Sequence, residues 1–191
     1  MNIAALGILR PHDKIPEWLV SELLPVPYFD NRKLGFTLDG LEPSDEAEVE
    51  KAVVAFLALG PIDRASAAQY VFARYRHIAE LVDNDDLACR IESADDVWGH
   101  VQPSEIFVSK RSRREQAIYV QITAECDWEP EHGLQLVYRR GNELSRVSEQ
   151  DGHLTHTDAY NLPEIEDRIV VGPRSLSKSS DPKKKPWWKL R

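Results

Sequence analysis

Two stretches of this chain carry side chains that could do chemistry together: CDWEPEHGLQLV (126–137) and DGHLTH (151–156). Between them they hold one thiol, four carboxylates, three imidazoles and a tryptophan. Cys126 ends one alternating run and Leu134 begins the next, so DWEPEHG is a connecting loop. Asp151, His153 and His156 follow the next strand but one. In an up-and-down meander that places them at the same edge of the sheet as the loop.

Three chemistries suit such a meeting. His132, His153 or His156, with Glu131 or Asp151, would supply the nitrogen and oxygen ligands that a catalytic zinc or ferrous ion accepts. The spacings, H-x-x-H at His153 and His156 and a lone Glu131-His132 pair, fall short of a helical HExxH motif. Alternatively, Glu129 and Glu131 could act as paired acid and base beside His132, since residues two apart on an extended chain share a face. Pro130 interrupts that geometry, no phosphate-cradling glycine loop or nucleophile elbow accompanies it, and the cysteine and serines lack an oriented base. The third possibility is bracing: a Glu–His or Asp–His hydrogen bond can tie one hairpin bend to the next, with Asp151-Gly152 as ordinary turn chemistry. Trp128 would then close the core, or anchor a partner if exposed.

The elements that must position these residues follow from periodicity. Leu34, Phe36 and Leu38 alternate as a strand, and Asp30-Asn31 before them suits a hairpin. SDEAEVEKAVVAFLALG is an amphipathic helix with acids in its first turn. Asp63 caps a second helix running through Tyr70, Val71, Arg74, His77, Ile78 and Leu81 to the acidic turn at Asp83 to Asp86. Ser93 caps a short third one containing Val97 and Trp98, stopped by Pro103. The period then changes to two, giving strands over 105–109, 117–126, 133–139 and 143–148. Arg140-Gly141-Asn142 makes a tight turn, and the basic loop KRSRREQ is expected as a solvated tip. The fold class is therefore α+β: an antiparallel sheet, built from a C-terminal β-meander plus an N-terminal hairpin, with two or three helices packed on one face.

With 191 residues, 42% of them hydrophobic, one core is the natural expectation, over residues 1–171. Residues 172–191 form a basic, tryptophan-containing tail without periodic apolar positions, expected to be disordered in isolation. The two cysteines, Cys89 and Cys126, form no disulfide framework and fit a reducing cytoplasm. The N-terminus lacks the basic start and cleavage pattern of a signal peptide, and no apolar run reaches the ~18 residues of a membrane span. Net charge is −8, but from Arg174 onward seven basic residues face one acid, so the preceding body carries −14. Such a body should repel nucleic acid and anionic membrane, whereas KKKPWWKLR could make weak contact with either.

FLALGPIDRASAAQYVFARYR, VWGHV and CDWEPEHGLQLVYRRGNELSRVSEQDGHLT together resemble a bacterial domain family of unknown function with a C-x-W-E-x-E-H-G-L-Q…D-G-H-L-T signature, over about Pro25 to Thr155. The resemblance implies no established activity, cofactor or catalytic residue; by analogy of class, small acidic α+β proteins of this kind are immunity-like or toxin-associated. The leading expectation is a non-enzymatic cytoplasmic protein that binds another protein, a basic one, through its acidic surface, with no cofactor. In that case Trp128, Glu129, Glu131, His132, Asp151 and His153 form a binding or structural cluster. The alternative is an enzyme dependent on a divalent metal such as zinc, using His132, Glu131, Asp151 and His153.

Overall fold

The computed structural model describes residues 1–82 and 88–170. The expected tail at 172–191 and the acidic turn at Asp83 to Asp86 lie outside the described residues. In chain order the strands are β1 (Arg10–Pro11), β2 (Leu19–Val20), β3 (Leu24–Val26), β4 (Arg32–Leu34) and β5 (Phe36–Asp39). Helices α1 (Glu46–Leu57) and α2 (Pro61–Ala79) follow, then a 3₁₀ helix (Ala94–His100). Strands β6 (Val101–Lys110), β7 (Ile118–Cys126), β8 (Leu134–Arg139) and β9 (Glu143–Ser148) precede the short α3 (His156–Tyr160).

The fold is α+β, with the main sheet in the order β1-β2-β5-β6-β7-β8-β9. Its C-terminal half is the expected meander. One pair departs from an all-antiparallel sheet: β5 runs parallel to β6, with Phe36 beside Ile106. The connection between them passes through both long helices, the kind of long crossover a parallel pair requires. The hairpin at Asp30-Asn31, both left-handed (φ 53° and 63°), forms a separate two-stranded sheet of β3 and β4. After Gly35 the chain passes into the main sheet, so Leu34, Phe36 and Leu38 form the expected buried row while spanning two sheets.

Helix α1 buries Val49, Ala52, Val53 and Phe56, the stripe that its spacing predicts. Asp63 sits inside the first turn of α2 rather than before it, where its Oδ2 accepts from Gly60 N at 2.8 Å and Pro61 occupies the first helical position. These helices cover the front of the sheet, formed by Ile106, Val108, Ile118, Val120, Ile122, Leu134, Leu136 and Tyr138. Tyr28 sits in the middle, 4.9–6.3 Å from Phe29, Phe56, Trp98 and Tyr138, and its Oη accepts from Tyr138 Oη at 2.7 Å.

The back of the sheet is polar. Tyr119, Gln121, Thr123, Gln135, Val137, Arg146 and Ser148 alternate with the apolar front residues, and all are buried. What buries them is the chain after β9, including α3, so one helix lies on the face opposite the other two. Gln121 Nε2 donates to Gln135 Oε1 at 2.8 Å, and Gln135 Nε2 donates to Ser148 Oγ at 3.0 Å. At the margins, β1 has two residues, one of them Pro11. On the other side Val147 N donates to Ile169 O, and Val170 lies parallel to Val147.

Candidate functional site

The loop after β7 and the bend after β9 do meet. Register puts Leu134 opposite Ala124 and Ser148 opposite Gln135, so 127–133 and 149–153 share one end of the sheet. Gln150 N donates to His132 O at 3.1 Å, and Gln150 Nε2 donates to Ala124 O at 2.8 Å. Backbone and amide contacts therefore join the bends.

The charged side chains are held differently from the expected Glu–His or Asp–His tie between them. Arg74 of α2, with 9% of its side chain exposed, bridges Glu129 of one bend (3.1 Å) and Glu149 of the other (2.8 Å). His132 Nδ1 lies 3.1 Å from Glu129 Oε1 within its own loop. Glu131 and His132 are exposed. Asp151 pairs in a two-pronged fashion with Arg146, both contacts at 2.6 Å, and also accepts from Gln135 Nε2 and His153 N. His153 takes part through its backbone, its carbonyl accepting from Arg146 Nη1 at 2.7 Å. Trp128 is buried and meets Tyr75 edge to face at 5.9 Å, which makes it a lid on the core. The candidate cluster thus divides into two arginine-centred braces. Among the described residues, no three His, Cys, Asp or Glu side chains converge to hold a metal ion.

A third brace lies at the far end of the sheet, where the loop after β6 was expected to be a solvated tip. Arg111 opens that loop with 5% of its side chain exposed. Its guanidinium takes Asp158 in a fork (Nε to Oδ2 and Nη2 to Oδ1, both 2.8 Å) and Glu164 in another (3.0 and 2.9 Å). Glu115 Oε2, Thr155 Oγ1 and Thr157 Oγ1 complete the set at 2.9–3.2 Å. Arg111 alone of this loop is buried, because the chain after β9 folds across the back of the sheet to reach it; Ser112 to Gln116 are exposed, as expected of a solvated tip. Three signals existed in the sequence: Arg74 falls on the inward stripe of α2 between Val71 and Ile78, Arg146 alternates with Val147, and Arg111 directly follows a strand.

Burial would raise the carboxyls of Asp151 and Asp158, but hydrogen bonds from Arg146 and Arg111 respectively hold them below the usual carboxylate range. Burial also pulls on the Arg111 guanidinium, yet Asp158 and Glu164 keep it above its ordinary value. Cys126, whose Sγ lies 3.7 Å from Glu129 O, is pushed up to about 12 by burial, so it is a thiol rather than a thiolate at neutral pH. His156 begins α3, is buried, packs at a tilt against Tyr160 with ring centres 4.6 Å apart, and has no hydrogen-bond partner for Nδ1 among the described residues.

Burial, then the positive charges of Arg146 and Arg168, depress the His156 pKa below its free value. The unfolded chain therefore takes up the proton first. The resulting contribution to stability is complete above pH ~6.5 and is lost as pH falls below that value toward the folded pKa. We expect the urea midpoint to fall between pH 7 and 5, and His156→Phe to flatten that part of the curve. An identical slope in both proteins would show that His156 is not responsible.

The architecture and its three arginine braces define a small α+β domain in which the polar residues of the bends bind the chain to itself. More particularly, the chain belongs to the family described as Domain of unknown function (DUF6985), which matches residues 6–154. The match begins earlier than the expected Pro25 and ends one residue short of Thr155. No curated protein and no solved structure matches the chain.

Proposed function

We propose that this chain is a non-enzymatic protein-binding module, bacterial and cytoplasmic, that meets a basic partner through one acidic end. One observation carries this reading. The acids of the candidate cluster that could have served catalysis, Glu129 and Asp151, are held by arginines. Around the same end of the sheet, Glu92, Asp95, Glu125 and Glu131 stand exposed without a cationic partner among the described residues. The buried thiol at Cys126 is a poor nucleophile, and two unpaired cysteines suit a reducing compartment. Immunity-like or toxin-associated proteins remain the analogous class.

An acidic end of this kind accelerates association with a cationic surface and makes it sensitive to salt, because exposed charges act over about 8 to 10 Å at physiological ionic strength. The test is affinity capture from the native host with the wild-type chain and with Glu92→Lys/Asp95→Lys/Glu125→Lys/Glu131→Lys. A basic partner should be retained by the former, lost from the latter, and released by raised salt. Equal capture by both proteins refutes the proposal.

A further inference from the structure

The buried arginine at the far end of the sheet is assembled from two parts of the chain with different standing. Arg111, Glu115, Arg113 and Arg114 lie within the matched domain, whereas Thr155, Thr157, Asp158 and Glu164 all lie beyond its last matched residue. Within one fold, the loop after β6 supplies a seat and the segment after β9 supplies the occupant. Two forked carboxylate contacts on one guanidinium are the geometry by which arginine selects carboxylates over other acceptors. Room for another carboxylate lies on one side, where a cavity of about 360 Å³ is bordered by Lys110, Arg113 and Arg114 with Asp158 as its one acid. The cavity of about 310 Å³ on the other side mixes Arg111, Arg139 and Arg168 with Glu115, Glu143, Glu164 and Asp167.

The occupant is fastened mainly through polar groups. Thr155, His156 and Thr157 are buried and Leu162 is half-buried, while Tyr160 is 52% and Ile165 93% exposed. Arg114 adds a looser contact to Glu164 at 3.5 Å. Over 155–164 the segment pairs with no strand and is fastened by ion pairs and threonine hydrogen bonds, so it opens at lower cost than the strands beneath it.

We propose that the Arg111 seat is a binding site for an acidic, hydroxyl-bearing peptide segment, occupied here in cis by residues 155–164 and able to accept the same chemistry from another protein. It is separate from the acidic end described above, and each can fail without the other. The chain's own segment acts as a tethered competitor, present at an effective concentration of order millimolar. An incoming segment must therefore carry at least two carboxylates spaced to reach both forks.

The test uses full-length protein and, as probe, a fluorescent peptide spanning residues 154–167 of this chain. Wild type should bind it weakly. The full-length Asp158→Asn/Glu164→Gln variant, whose own segment is weakened, should bind it about tenfold or more tightly, given the removal of a millimolar competitor. Binding should fall with salt, vanish for a probe carrying the same two substitutions, and vanish when Arg111→Gln is added to the variant. Absence of saturable binding to the double variant, or binding that survives Arg111→Gln, overturns the proposal. Should the double variant not fold, hydrogen exchange on wild-type protein decides: excess probe should accelerate exchange over 155–167, and unchanged protection counts against the seat.

Discussion

Replacing Arg146 with methionine should destabilise the protein by about 3 kcal/mol, read as the shift in a urea unfolding curve. Only 2% of the Arg146 side chain is exposed, and it makes three contacts of 2.6–2.7 Å, two to Asp151 and one to the His153 carbonyl. Removing one partner of a buried ion pair leaves the other charge without compensation, at a typical cost of ~3 to 5 kcal/mol. The lower figure applies because a quarter of the Asp151 side chain remains exposed to water. The pair itself is worth less than its breakage suggests. Arg146→Met combined with Asp151→Leu should therefore cost less than the two single substitutions added together, since no charge is left uncompensated and Gln135 Nε2 keeps Ser148 Oγ and the His153 carbonyl as acceptors. A loss under ~1 kcal/mol for Arg146→Met would mean the brace behaves as a surface ion pair.

The second large effect is expected at Gly141, in the turn between β8 and β9. Its φ is +83°, and a Cβ built there would come within 1.9 Å of the Ala52 carbonyl oxygen on α1. Even alanine meets two penalties: the left-handed backbone costs ~1–2 kcal/mol, and a forced backbone shift in a packed interface adds ~1–3 kcal/mol. At ~2–4 °C per kcal/mol for a chain of this size, Gly141→Ala should lower Tm by roughly 5–15 °C. Gly99→Ala is the control, since its Cβ would meet nothing within 4 Å and its φ lies outside the left-handed range. If the two variants melt within a degree or two of each other, the turn is not seated on α1 as described.

Local pattern was the legible part of this fold. The strand over 143–148 matches β9 residue for residue, and the stripe of α1 is buried where its spacing places it. Partnership between distant strands was not legible, because Phe36 and Leu38 alternate in the same way whether β6 lies parallel or antiparallel to them. The polar cluster divides along the same line. Turn residues and alternation locate the two bends at one end of the sheet, but what the carboxylates bind depends on Arg74 of α2 and Arg146 of β9. An arginine headed for burial carries the same letter as one in water. Position on an inward stripe, as for Arg74, marks such an arginine as a candidate, and its place opposite an acid in the folded chain then names its partner.

The margins of the sheet have their own consequence. Pro11 has no N–H to offer at one rim, and at the other the outward amide of Val147 is already engaged by Ile169. Among the described residues neither rim of the main sheet presents a long run of idle donors and acceptors, so concentrated solutions gain little by stacking chain upon chain into fibrils through these edges. Recognition of another molecule is left to side chains.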